Sequence, residues 1–310
     1  TGTSTETLLL TTTKKASGFQ FRNNFYFICP EGYFEYDGTN LTKIIPQGAF
    51  EFYYAVSGSG TSIVLPNDAS AVDDFYNDWY IYIAEGTGVD QKVKVTDYVG
   101  ATRTATIDTT LSPALDTTSY LYLTAHESGA LVEGNNGTYD TKRYTPSYTE
   151  YTDLNYGENT LDNLENYRHF ALHRNSFYAS VSETTGEQNY VRFNKLDNIY
   201  YFGDNAYLEV DNGDDDKIMG CYSFNDVLAV FKQQSLHAVY GLDPTDYNIK
   251  PVTVATGTLS FDTVHKVNIV GVVCVALRAG RHGRQVEAAL DRSVRRYRWT
   301  VRAEHLGRDI

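Results

Sequence analysis

The feature that most constrains the fold is residues 211–241, in which short apolar segments alternate with turn residues. An acidic turn leads into a first strand, Asn225-Asp226 forms a two-residue turn, and residues 227–231 are apolar throughout. Asp and Asn tolerate the backbone angles of tight turns, and such an apolar run is typical of a strand buried on both faces. Residues 236–240 give a third strand. The stretch therefore predicts a meander, the unit of a β-propeller blade or of one sheet of a β-sandwich.

This alternation of strand and tight turn occurs four times, near residues 18–45, 168–195, 217–241 and 261–275. In the first copy, Asn23-Asn24 stands where Asn225-Asp226 stands in the third. The later copies follow one another at roughly 40–50 residues, which is the spacing of propeller blades. We therefore predict an all-β, β-propeller-like fold, complete or incomplete, with a β-sandwich as the alternative.

The longer interval between the first two copies indicates an insertion. The sequence pattern changes at Ser57-Gly58-Ser59-Gly60, a Gly/Ser segment that is typical of a flexible linker. Within the segment that follows, residues 92–95 alternate polar and apolar side chains, as a strand does. The predicted organisation follows the chain: the first blade or blades at 1–56, an inserted small β module at 57–125, an extended loop or arm at 126–166, further propeller blades at 167–275, and an Arg-rich tail whose order is left open at 276–310.

The C-terminal segment follows different compositional rules from the rest. Residues 271–310 hold nine arginines and no lysine, whereas residues 1–270 hold all 11 lysines and six arginines. Three explanations stay open for this change: a basic arm, a shifted reading frame, or a basic helix that includes residues 285–290.

Composition excludes several classes of function. Tyr is abundant, at 26 of 310 residues, and with Thr, Asn, Asp and Gly it favours strands and turns over helices. An apolar run of about 18 residues is absent from the sequence, so no membrane-spanning helix is expected. The N-terminus has no basic region before its apolar run and is not a secretory signal as it stands. The net charge of −13 argues against non-specific binding of nucleic acid through a basic face.

Two groups of residues could hold a cation. The first group is acidic and suggests a cation-binding loop; it consists of Asp204, Asp211, Asp214, Asp215 and Asp216. The spacing of these residues lacks the alternating ligands and the final Glu of an EF-hand, so a solvated turn is favoured. His169 and His173 are four residues apart, which on a strand places them on one face about 13 Å from each other. That separation argues against a shared zinc ion.

Other candidate sites have simpler interpretations. Cys29, Cys221 and Cys274 are far apart and lie in apolar segments, so we expect buried free thiols. A glycosylation sequon at Asn136 matters only in a eukaryotic secretory context. No nucleophile motif is present, although a pair of glycosidase carboxylates stays open in so acidic a β fold. We assign no catalytic, cofactor-binding or metal-binding residue and expect a protein that is not an enzyme.

Residues 170–180 and 228–241 resemble the propeller segments of tail proteins of short-tailed bacteriophages, namely tail nozzle, tail hub and packaged-DNA stabilisation proteins. The module around residues 79–98 and 101–107 is similar to a small β insert of phage structural proteins. The resemblance implies a structural virion protein in the phage tail, without cofactor, catalysis or membrane contact. It implies a homo-oligomeric ring, commonly a hexamer, below the portal and adaptor. Such a ring forms or closes the DNA exit channel and retains packaged DNA.

An acidic channel wall repels phosphate, so we expect weak or repulsive contact with passing double-stranded DNA. Residues 57–125 and 126–166 are expected to contact neighbouring subunits. Two alternatives stay open: a carbohydrate-binding or carbohydrate-cleaving β-propeller that serves as a receptor-binding protein, and a passive capsid or tail scaffold on a sandwich fold.

Overall fold

The computed structural model describes residues 9–46, 48–128, 131–135, 139–211, 216–253, 257–258, 260, 264–269, 272–278, 284–291 and 299–305. The chain divides into two compact units. Unit 1 comprises Thr1–Thr39, Asn163–Phe202 and Ala206–Ile310, and unit 2 comprises Asn40–Asp162 and Gly203–Asn205. The fold is all-β and propeller-like, which confirms the predicted fold class.

The elements are numbered in chain order, and nearly all of them are short strands. They are β1 (Ser17–Phe21), β2 (Asn24–Cys29), β3 (Gly32–Tyr36), β4 (Leu41–Ile45), β5 (Phe50–Tyr54), β6 (Ser57–Ser59), β7 (Ser62–Val64), β8 (Tyr80–Glu85), β9 (Lys92–Val99), β10 (Thr104–Ile107), β11 (Tyr120–Thr124), β12 (Leu131–Asn135), β13 (Asp140–Tyr144), helix α1 (Tyr148–Tyr151), a 3-10 helix (Leu161–Asn166), β14 (Tyr167–His173), β15 (Ser176–Ser182), β16 (Tyr190–Phe193), β17 (Tyr207–Glu209), β18 (Ile218–Phe224), β19 (Val227–Lys232), β20 (Leu236–Tyr240), β21 (Asn248–Thr253), β22 (Val264–Ile269), β23 (Val272–Arg278), β24 (Arg284–Asp291) and β25 (Trp299–His305).

Unit 1 contains a series of meanders in which each strand pairs antiparallel with the next. β1, β2 and β3 pair in order, and three four-stranded sheets follow, β14 to β17, β18 to β21 and β22 to β25. The Arg174-Asn175 and Asn225-Asp226 turns lie where the sequence predicts them, whereas the first turn is Arg22-Asn23, one residue before the predicted Asn23-Asn24, because Asn24 already pairs in β2. Arg174 and Asn175 both have positive φ, as a type I′ hairpin turn requires, and Arg22 and Asn225 have positive φ in the equivalent turns.

The fourth meander corrects one of the explanations offered for the basic segment. Residues 285–290, considered as a possible helix, lie instead within strand β24, which pairs with β23 and β25. The local sequence agrees with a strand because Val286, Ala288 and Leu290 alternate with Gln285 and Glu287, a period of two. Part of the predicted tail, residues 279–283, 292–298 and 306–310, lies outside the described residues.

Aromatic side chains pack the first two meanders of unit 1 together. Phe177 of β15 is fully buried, and its ring centroid lies 4.8 Å from that of Phe19 and 5.1 Å from those of Phe21 and Tyr26. Phe170 completes the cluster at 5.6 Å from Phe177, with the ring planes perpendicular. Edge-to-face aromatic pairs are favourable beyond the area that they bury, so this cluster is a central part of the core.

Unit 2 contains a seven-stranded sheet in the order β5-β11-β8-β9-β10-β7-β6. β5 and β6 stand at opposite ends of this order although only Ala55 and Val56 separate them. Ala55 N–H donates to Ser119 O at 2.9 Å, and Val56 N–H donates to Val64 O at 2.9 Å. The chain therefore passes from one end of the sheet to the other within two residues, and the sheet curls around its core as a barrel does.

The insert is larger than the predicted module at 57–125. β5 belongs to it because β5 pairs with β11 over five residues. The predicted loop or arm at 126–166 is also wrong as an irregular segment, since it contains β12, β13, α1 and the 3-10 helix. β13 pairs parallel with β4 and antiparallel with β12. Helix α1 begins at a capping box, in which Ser147 accepts from Glu150 N–H and the Glu150 side chain accepts from Ser147 N–H.

Candidate functional site

The described part of the predicted acidic loop is used for internal hydrogen bonds. Asp214 and Asp215 lie outside the described residues. Asp216 is buried, and its carboxylate accepts from the backbone N–H of Gln234 at 2.7 Å and from the Ser235 hydroxyl at 2.6 Å. These bonds fix the turn between β19 and β20, so Asp216 has a structural role.

The other acidic residues do not form a metal centre with Asp216 in the described chain. Asp204 belongs to unit 2, and Asp211 of unit 1 is exposed, with its carboxylate 3.9 Å from His237 Nε2. Lys232 is completely buried beside this segment, and its ammonium group donates to the carbonyls of Val210 at 3.1 Å and Asp211 at 2.9 Å. Across the residues that the structure describes, no group of three or more His, Cys, Asp or Glu side chains could hold a metal ion.

His169 and His173 both lie on β14 but contact different residues. His169 Nδ1 accepts from the backbone N–H of Cys221 at 3.4 Å, and His173 Nδ1 lies 2.9 Å from the Ser223 hydroxyl. Burial, with a smaller effect from the charge of Arg174, lowers the pKa of His173 to about 4. His173 is therefore neutral at pH 7, and both histidines link β14 to β18.

The cysteine expectations are met for the two residues whose side chains are described. Cys29 and Cys221 are buried free thiols, and burial raises the pKa of Cys29 to about 11 and that of Cys221 to about 12. Thiols with such pKa values are poor nucleophiles at neutral pH. The side chain of Cys274 and the sequon at Asn136 lie outside the described part of the structure.

One candidate site is a cleft of about 360 Å³ in unit 1. Its walls come from the turn that follows β1, from the turn that follows β14, and from the loop after β16, which contribute Arg22, Asn175 and residues 197–200. Glu35 of β3 also lines the cleft, although only 3% of its surface is exposed. The volume falls within the range of small-molecule sites.

Three donors surround the Glu35 carboxylate. The Asn24 side-chain amide and the Tyr26 hydroxyl donate to one carboxylate oxygen, the hydroxyl at 3.0 Å. The Tyr200 hydroxyl lies 3.5 Å from the other oxygen. A buried carboxylate needs such donors, since an isolated buried charge would be very costly. The arrangement places a buried carboxyl group and its hydrogen-bond donors in the lining of a polar cleft.

The two phenols of the cleft stay protonated over the physiological range. Burial and then the charge of Glu35 raise the pKa of Tyr200 to about 12, and the same causes raise the pKa of Tyr26 further. The cleft thus offers hydroxyl, amide and guanidinium donors beside carboxylate acceptors. This chemistry suits reversible binding of a neutral polyhydroxylated ligand. Asp197 is the second acidic residue in the lining.

Sequence reasoning missed Glu35 and Lys232, and in both cases a signal was present. Glu35 interrupts the aromatic segment of β3, GYFEY, and Lys232 ends the apolar run of β19, VLAVFK. A single charged residue in a strand that is otherwise buried requires internal partners. That rule identifies a polar network but does not say which loops surround it.

Unit 2 carries a second surface of interest, an aromatic face on β5 and β11. Phe52 stacks on Tyr120 with ring centroids 5.9 Å apart and on Tyr122 at 5.3 Å, and Tyr151 of α1 lies 5.3 Å from Phe52. Tyr54 continues this row at 4.8 Å from Tyr120 and is 58% exposed.

Neither helix that the structure describes has the length and apolar character needed to cross a membrane.

Comparison with known proteins does not place the chain in a family. No protein-family model matches the chain, and no curated protein matches it. The chain is similar to a solved structure of apo AztD from Citrobacter koseri, with 9% sequence identity and a TM-score of 0.31; the match covers 91% of this chain and 69% of that one.

Proposed function

We propose that the protein is a structural virion protein of a bacteriophage tail, which assembles as a nozzle or hub ring below the portal and adaptor. The observation that carries the proposal is the repeat of one building unit in unit 1. The first hairpin of each of three meanders turns at Arg22-Asn23, Arg174-Asn175 and Asn225-Asp226. The segments that resemble phage tail proteins, residues 170–180 and 228–241, fall on these meanders.

A structural role without catalysis agrees with the buried polar side chains of unit 1, which form hydrogen bonds within the fold. Asp216, Lys232 and His173 are buried and hydrogen-bonded to neighbouring strands or turns. The net charge of −13 suits a channel through which DNA slides, because like charges keep the polyanion from adhering. In this proposal the ring is a homo-oligomer, with a hexamer as the expected stoichiometry, and it retains packaged DNA until ejection.

The test is direct imaging combined with mass measurement. Mass photometry of the purified chain should give a ring of defined stoichiometry, and negative-stain images should show a central opening. Antibody against the chain, labelled with gold, should decorate the tails of intact phage particles. A protein that stays monomeric alone and with tail partners, and that is absent from particles, would refute the assignment.

A second function is favoured by one observation, the polar cleft around Glu35. A cleft of about 360 Å³ with phenol, amide and carboxylate groups could hold a sugar ring, as a receptor-binding β-propeller would require. A glycan array distinguishes the two functions. Specific glycan binding by the monomer that Glu35→Ala abolishes would favour the receptor-binding function over the ring.

A further inference from the structure

The cleft around Glu35 has a rim of exposed polar side chains that the fold itself does not use. The rim consists of Arg22, Asn23, Asn175 and Asp197. Among the residues that the structure describes, none of these four side chains forms a hydrogen bond or an ion pair. The Arg22 guanidinium packs over the ring of Phe21, 5.1 Å from its centroid, and keeps its N–H donors available. The rim therefore offers accessible polar groups to a ligand.

Tight turns hold these groups in place. Arg22 and Asn175 belong to the two-residue hairpin turns that follow β1 and β14, and their φ angles are 53° and 64°. Asp197 has a φ of 60° in a turn that the Asn198 N–H closes by donating to Lys195 O at 2.9 Å. Short hydrogen-bonded turns lose little freedom when a ligand binds, so the rim is organised before binding.

Two opposite charges face the cleft from different turns without pairing. Neither the Arg22 guanidinium nor the Asp197 carboxylate has an ion-pair partner within the described part of the chain. A guanidinium can only donate hydrogen bonds, and an ionised carboxylate can only accept them. A hydroxyl group does both, so two neighbouring hydroxyls of one ligand satisfy both charged groups at once.

The same pair of groups selects the charge of the ligand. The lining contains two carboxyl groups, those of Glu35 and Asp197, against the single guanidinium of Arg22. An anionic group could accept from Arg22, but it would be repelled by the carboxylates and could not donate to Asp197. An ammonium group could donate to Asp197, but it would be repelled by Arg22 and could not accept from it. A neutral hydroxylated ligand uses both contacts without either repulsion.

We propose that the cleft binds a neutral sugar residue through two adjacent hydroxyl groups, one of which donates to the Asp197 carboxylate while the other accepts from the Arg22 guanidinium. The amides of Asn23 and Asn175 both donate and accept, which suits further hydroxyls. Ile199, partly exposed in the lining, offers apolar surface to the C–H side of the ring. The inference rests on the receptor-binding function proposed above, and it names the class of sugar and the two residues that determine specificity.

Titration calorimetry of the native chain against a matched panel tests the class of ligand. The probes are glucose, galactose and mannose, each with its uronic acid and its 2-amino sugar, which keep the ring and change only the charge. At least one neutral sugar should bind with a dissociation constant near about 1 mM. Its uronic acid and its amino sugar should each bind roughly tenfold more weakly, the size expected for one lost charge-assisted contact.

Two variants separate the roles of the charged groups. Asp197→Asn should weaken binding of the neutral sugar roughly tenfold and narrow its advantage over the uronic acid, because one repelling carboxylate is gone. Arg22→Gln should weaken the neutral sugar by a similar factor but widen that advantage, because the single cation is gone. Glu209→Gln on β17 and Lys250→Gln on β21 change the same charges at exposed positions outside the cleft, and they should leave binding unchanged.

Circular dichroism confirms that each variant is folded. The inference is overturned by a native chain that binds none of the neutral sugars, by a uronic acid that binds as tightly as its neutral sugar, by Asp197→Asn and Arg22→Gln that shift charge selectivity in the same direction, or by a control that reproduces their effect. A chain that binds no sugar at all also refutes the receptor-binding function. Sugar binding whose selectivity neither variant changes refutes this inference alone. These measurements do not depend on ring assembly, so a failed particle test of the tail function would be recognised separately.

Discussion

The Arg174 guanidinium lies 3.2 Å from the Asp226 carboxylate and thereby joins the first hairpin turns of two successive meanders. Asp226 is largely exposed, and exposed ion pairs contribute between zero and about 1 kcal/mol. We therefore expect Asp226→Asn to lower the free energy of unfolding by less than about 1 kcal/mol, measured by urea denaturation. The difference should shrink further at high salt. A larger loss that is insensitive to salt would mean that the turn depends on Asp226 for its backbone conformation instead.

Phe177→Ala tests the aromatic cluster between the first two meanders. Phe177 is fully buried with four aromatic rings around it, so its truncation leaves a cavity and should cost about 3–5 kcal/mol. Phe25→Ala is the matched control, since Phe25 on β2 is 39% exposed and should cost far less. Both free energies come from equilibrium denaturation. Equal costs for the two variants would contradict the packing of β1 and β2 against β14 and β15.

His173 predicts a dependence of stability on pH. Its pKa in the folded protein is about 4, below the unfolded value of about 6.5, so between these values the unfolded chain binds the extra proton. Stability should therefore be fully present above pH 6.5 and fall as the pH drops towards 4, with a slope of up to about 1.4 kcal/mol per pH unit. The nearby charges of Arg174 and Asp226 have opposite, smaller effects.

The measurement is the free energy of unfolding against pH for the native protein and for His173→Asn. Asn cannot titrate but can still bond to the Ser223 hydroxyl. The variant should show a flatter profile between pH 4 and 6.5. Superimposable profiles would mean that another group governs the acid limb.

Glu35→Gln tests the cleft. The amide oxygen of Gln can still accept from Asn24 and Tyr26, but its NH₂ group then replaces the carboxylate oxygen that faces the Tyr200 hydroxyl, so that hydroxyl loses its acceptor at a cost of about 1–3 kcal/mol. Loss of the carboxylate should also lower the pKa of Tyr200 from about 12 towards its usual value near 10. Titration of tyrosines labelled with ¹³C at the ring carbon that bears the hydroxyl, followed by NMR, measures this change. An unchanged pKa at Tyr200 would show that burial alone sets it.

Local signals predict unit 1 well and unit 2 less well. Turns such as Asn225-Asp226 lie inside meanders whose strands pair with their neighbours, so a short window contains the information. The pairing of β5 with β11 joins residues more than 60 positions apart, and no periodicity within residues 50–54 indicates that partner. The Glu35 cleft combines three separate loops and strands in the same way. The sequence alone does not predict which polar side chains from distant parts of the chain come together in one site.

The aromatic face of unit 2 gives the last prediction, on ring assembly. Tyr54 is 58% exposed at the end of a row of stacked rings, and exposed aromatic side chains are enriched at subunit interfaces. If unit 2 contacts a neighbouring subunit through this face, Tyr54→Arg should shift the mass distribution from rings to monomers while thermal stability stays within about 0.5 kcal/mol, as for most surface substitutions. Val72→Arg is the control, since Val72 is 63% exposed and lies outside the row. Rings that persist in Tyr54→Arg, or dissociation in both variants alike, would rule out this face as the interface.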